Sequence, residues 1–78
     1  MTIMGEYDLF VYAYENNREE IAVTVDEIKE GQLRTLGLRY IRTYHYDTLQ
    51  QREDARAIAM LNEKGREETL SVLEKMAG

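Results

Sequence analysis

Residues 6–14 read Glu-Tyr-Asp-Leu-Phe-Val-Tyr-Ala-Tyr. Aromatic and β-branched types dominate, which favours an extended strand. Successive side chains of a strand point to opposite faces. Leu9, Val11 and Ala13 therefore share one face, and Phe10, Tyr12 and Tyr14 the other. A strand that is apolar on both sides needs cover on both sides, and one of those covers is a natural place for a partner chain.

The next segment supplies a first neighbour. Glu15-Asn16-Asn17-Arg18 is a turn, because Asn tolerates the left-handed backbone that tight hairpins require. Residues 19–26 alternate Ile21, Val23 and Val25 against Glu20, Ala22, Thr24 and Asp26, the period-2 pattern of a half-buried strand. An antiparallel hairpin over 7–26 is expected, with two registers open. A loop of Asn16-Asn17 alone places Phe10 and Tyr12 with the Ile/Val face. A three-residue loop places Leu9, Val11 and Ala13 there and leaves Phe10, Tyr12 and Tyr14 as an exposed aromatic stripe. One residue of slip exchanges the faces.

Residues 27–46 carry two patterns. Asp26 is a candidate N-cap for a helix from Glu27. Leu33, Leu36, Gly37, Tyr40, Ile41 and Tyr44 fall on one helical stripe, and this spacing favours a helix. Against it, Gly31 and Gly37 each cost about 1 kcal/mol in a helix, and 39–46 is strand-like in composition. The other reading ends a short helix at Gly37 and begins a third strand at Leu38. Asp47-Thr48 is a break and a cap before a helix over 49–63. Asn62-Glu63-Lys64-Gly65 is a helix stop with Gly65 suited to a left-handed C-cap. Residues 66–77 form an amphipathic helix, with Thr69, Leu70, Val72, Leu73, Met76 and Ala77 on its apolar face. The pattern predicts one small α+β domain over 1–78: an N-terminal antiparallel β-hairpin, then two or three amphipathic helices packed on one face.

A domain this short buries only about 60–65% of the surface its unfolded chain exposes. With no cysteine, neither a disulfide nor a thiolate zinc site adds stability. Oligomerisation is a common remedy, so a homodimer is expected more readily than a monomer. There is no cationic leader with an apolar core, and no apolar run of about 18 residues. A cytoplasmic chain that does not enter a membrane is the expectation.

Charge is divided along the chain. Residues 1–28 hold seven acids against Arg18 alone, 29–52 hold five bases against Glu30 and Asp47, and the whole chain carries −5. That balance opposes non-specific binding to nucleic acid or anionic lipid.

Catalytic chemistry finds little footing. There is one His (His45) and one Ser (Ser71), and a nucleophile needs a base and an orienting group within reach. His45 with Asp47, Glu53 and Asp54 is too sparse for a metal site of ordinary composition. Glu27-Ile28-Lys29, with Asp8 on the adjacent strand, resembles the E-x-K part of a metal-dependent nuclease signature. Such a core needs more strands than this chain supplies. A helix-turn-helix over 58–66 would open its recognition helix with Arg66-Glu67-Glu68, two carboxylates where phosphates sit. No enzyme, cofactor or metal is expected.

What remains is a small acidic protein-binding module, an inhibitor or regulator of a larger protein. Such a module resembles the compact acidic proteins of phage or mobile-element type that block host defence enzymes. Tyr and Arg are preferred types at binding hot spots, so the partner-binding candidates are Tyr7, Tyr12, Tyr14, Glu15, Glu19, Glu20, Arg39, Arg42 and Tyr46. The alternative is a nucleic-acid-binding regulator that grips phosphate with Arg34, Arg39 and Arg42 and stacks bases on Tyr40, Tyr44 and Tyr46.

Overall fold

The strand with two apolar faces, β1 (Asp8–Tyr14), lies in the middle of a three-stranded antiparallel sheet. Its neighbours are β2 (Asn17–Thr24) and β3 (Leu38–His45), in the order β2-β1-β3. Three helices complete the chain in this computed structural model: α1 (Glu30–Leu36), α2 (Leu49–Leu61) and α3 (Arg66–Ala77). The structure describes residues 7–61 and 65–77. The expected stop at 62–64 lies outside the described residues, while Gly65 does adopt a left-handed φ of 83°. The architecture is the expected α+β one, with a third strand added to the hairpin.

That third strand corrects the helix favoured over 33–44. Gly37 takes the left-handed conformation (φ 70°, ψ 36°) and closes α1 after 7 residues. Its N–H is directed back to the carbonyls of Leu33 and Arg34, which ends the helix. The aromatic chain that follows pairs with the edge of β1 opposite β2. The helical stripe misled because β3 carries a bulge. Val11 pairs with Arg42 and Tyr12 with Tyr40, so Ile41 is an extra residue. Without it Tyr40 and Tyr44 would share a face. With it Tyr44 turns to the helices and Tyr40 turns to Tyr12 on the opposite side.

Hairpin register follows the second of the two alternatives, by a different route. Val11 pairs with Val23 and Ala13 with Ile21, so the Leu9/Val11/Ala13 face joins the Ile/Val face. The loop is not three residues long. Tyr14 pairs with Asn17 across Glu15-Asn16, and the surplus residues 18–20 sit inside β2. The Asn17 carboxamide oxygen accepts from the N–H groups of Glu19 (2.9 Å) and Glu20 (3.3 Å), which steadies the irregularity.

Helices α2 and α3 cover the Leu9/Val11 face. The core there is Leu9, Val11, Ile21, Tyr44, Tyr46, Ala55, Ala59 and Leu73. Ala55 and Ala59 let α2 approach the sheet closely. A reciprocal cap opens α2, as expected at Asp47-Thr48: the Thr48 hydroxyl accepts from Gln51 N–H (3.1 Å), and the Gln51 side-chain oxygen accepts from Thr48 N–H (3.2 Å). Two phenols tie β3 and its extension to α3, Tyr44 donating to the Leu70 carbonyl (3.1 Å) and Tyr46 to that of Leu73 (3.0 Å).

Residues 25–29 come over the other face. There Tyr12 accepts a hydrogen bond from Ile28 N–H (2.8 Å), and its ring meets Tyr40 edge-on at 5.9 Å. Asp26 is not the N-cap, because α1 begins at Glu30, with Lys29 at the N-cap position and no side-chain cap. Its carbonyl instead accepts from the Thr24 hydroxyl (2.6 Å). Among the described residues no helix is long and apolar enough to cross a membrane.

Candidate docking surface

The hairpin tip is irregular, and it is held from three sides. Glu15 N–H donates to the Gly37 carbonyl (3.0 Å), joining the tip to the end of α1. Asn17 fixes the backbone of Glu19 and Glu20 from within. Arg66, the first residue of α3, reaches the carbonyls of Asn17 (2.8 Å) and Glu20 (3.3 Å) with its Nη2. Gly65 just before it presses on the same segment: a Cβ there would lie 2.7 Å from Glu19 Oε2.

Between this tip, β3 and the start of α3 lies an open groove of about 960 Å³. Tyr14, Glu15, Arg18, Glu19, Arg39, Gly65, Arg66, Glu67 and Glu68 line it. Glu15, Glu19, Glu67, Glu68, Arg18 and Arg39 are exposed, whereas Arg66 is turned toward the tip carbonyls. Among the described residues, the exposed charged side chains of the groove are the carboxylates of Glu15, Glu19, Glu67 and Glu68 and the guanidinium groups of Arg18 and Arg39, beside a half-buried tyrosine ring.

Four sequence candidates meet here: Tyr14, Glu15, Glu19 and Arg39. Glu20 does not line this groove; it lines a second one between β2 and α2, with Arg56, Met60 and Leu61. Arg42 is exposed at the sheet edge, its guanidinium 5.9 Å from the centroid of the Tyr44 ring. Tyr7 is half-buried against the core, with the Arg52 guanidinium 6.0 Å from its centroid.

Two tyrosines must be withdrawn from the candidate surface. Tyr12 is 1% exposed and Tyr46 5% exposed. Tyr12 is roofed by the β2–α1 connection, so the exposed aromatic stripe does not form. Tyr46 lies under α3, where burial, and then the neighbouring Tyr44, push its phenol up to about 12.

Arg66, Glu67, Glu68 and Arg18 were absent from the candidate set. The Arg66 contacts span 49 and 46 residues, and no local pattern announces such a pairing. The sequence does contain one pointer, Gly65, a backbone position that must turn sharply just before a helix.

Other chemistry-bearing residues are distributed differently. His45 Nδ1 meets the buried Asp8 carboxylate at 2.5 Å, while the imidazole itself is largely exposed. Glu27 and Lys29 do not share a strand face, because β2 ends at Thr24 and both lie in the exposed connection to α1. Among the described residues no group of three or more His, Asp or Glu side chains converges on a point that would hold a metal ion.

No protein-family model, curated protein or solved structure matches this chain.

Proposed function

We propose that the chain is a non-catalytic protein-binding module of the cytoplasm that inhibits or regulates a larger protein by occupying part of its surface. The hairpin-tip groove is the contact. One observation carries the reading: a charged, water-facing tip is mounted on backbone that residues from the far end of the chain hold in one shape. Ordering a loop on binding costs free energy, and a loop ordered beforehand avoids that cost. The exposed carboxylates of Glu15, Glu67 and Glu68 beside Tyr14 favour a basic patch on the partner, and charge of that kind chiefly sets encounter rate and specificity.

Capture from extract of the cells that make the protein tests this. The bait is used as wild type and as Glu15→Lys with Glu68→Lys, both exposed sites. The expected result is a defined protein retained by the wild type and reduced roughly tenfold or more with the reversed bait. Circular dichroism checks that the variant is folded. Identical capture by both baits, or none by the wild type, removes the proposal.

The nucleic-acid reading gains nothing from the geometry. Of its three stacking rings, Tyr44 and Tyr46 are interior, and Arg39 sits among the carboxylates of the groove.

A further inference from the structure

We propose that a second copy of this chain docks along the outer edge of β2, across a two-fold axis, and buries the end of α2. Met60 is 68% exposed and Leu61 69%, the two most exposed of the large apolar side chains among the described residues. They stand beside Ala22 and Val23 of β2 in an open groove of about 440 Å³. β2 has β1 as its one strand neighbour among the described residues. Arg66 occupies the carbonyls of Asn17 and Glu20, and the outer edge over 21–24 has no strand beside it, the feature through which sheets extend between chains.

Charge selects the occupant. One wall of the groove carries Glu20 and the other Arg56. Across a two-fold axis residue i meets j of the mate while j meets i. Each Glu20 then faces an Arg56 of the second copy, and the surface is complementary to itself. Within one chain, Arg56 pairs with Glu53 one turn away at 3.3 Å, a half-exposed contact of the weak kind. The other edge of the sheet offers no such match. A two-fold through β3 would bring Arg39 and Arg42, both exposed, against their own copies. Pairing β2 with β2 of the mate instead makes one continuous six-stranded sheet. It sets the two α2 helices side by side, so that Met60 and Leu61 of each chain cover the other.

Sedimentation equilibrium on the full chain, from micromolar to near-millimolar, is the test. The wild type is expected to weigh as two chains. Met60→Asp with Leu61→Asp changes only exposed side chains, so the fold survives, and it raises the dissociation constant by roughly a hundredfold. Glu20→Arg alone and Arg56→Glu alone each raise it by roughly tenfold. The double exchange recreates the pair with its signs swapped and returns it to near the wild-type value. A monomer at every concentration overturns the proposal and leaves the patch to a different partner. A dimer indifferent to all of these changes overturns it as well.

Discussion

Arg66 Nη2 lies 2.8 Å from the carbonyl oxygen of Asn17, joining the first turn of the last helix to the tip of the first hairpin. The same nitrogen reaches the Glu20 carbonyl at 3.3 Å. Glu20 is one of the surplus residues of β2, outside the β1–β2 pairing, and Arg66 supplies its carbonyl with a donor.

Replacing Arg66 with Ala is expected to cost about 2 kcal/mol, the range for hydrogen bonds from a charged donor. Arg66→Lys should recover less than half, since the lysine nitrogen ends one bond short of the Nη2 position that makes both contacts. Urea denaturation measures both values. Amide exchange at Glu19 and Glu20 should quicken in both variants by more than the global loss of stability requires. Equal protection across tip and core would refute a special role for Arg66.

Two glycines make opposite predictions. Gly37 holds a left-handed φ of 70°, so Gly37→Ala places a side chain in that region and should destabilise by about 1–2 kcal/mol. Gly31 lies in α1, and a Cβ there meets nothing within 4 Å. Gly31→Ala should therefore stabilise by up to about 1 kcal/mol. Melting temperatures of the two variants should move in opposite directions.

Tyr46 sets a limit at high pH. Its folded pKa is raised to about 12 from an ordinary value of 10.0. The folded state therefore holds a proton that the unfolded chain gives up first. The stabilisation is present in full below pH 10 and is lost as pH rises through 12. Between those limits stability should fall as pH rises, by at most about 1.4 kcal/mol per pH unit. Tyr46→Phe should cost about 1 kcal/mol at neutral pH, through loss of the bond to Leu73, and should flatten the alkaline slope. An unchanged slope in that variant would assign the pH dependence to other groups.

Much of the fold was legible because its signals are local. Alternation at Ile21, Val23 and Val25 marks a strand, Thr48 with Gln51 marks a helix start, and Leu70, Leu73 and Met76 mark a buried helix face. β3 was obscured by its bulge at Ile41, which converts a period-2 strand into spacing that also fits a helix. The two apolar faces of β1 call for cover above and below the sheet and say nothing about its edges, so no local pattern announces the strand that pairs with its second edge. The site was half legible. Glu15, Glu19, Tyr14 and Arg39 are near one another because turn and register place them so. Tyr12 and Tyr46 resemble contact residues in composition and are interior, because coverage by 25–29 and by α3 is a tertiary outcome. Arg66 carries no sequence signal tying it to Asn17.

Holding the tip by the final helix has a consequence for synthesis. As the chain leaves the ribosome, β1 and β2 emerge long before Arg66, and for that interval residues 18–20 lack their clamp. The acidic end reaches its finished shape only after α3 has been made and folded back. A chain that stops short of Arg66 lacks both contacts to the tip carbonyls, and if the tip is the docking surface proposed above, it presents that surface without its clamp.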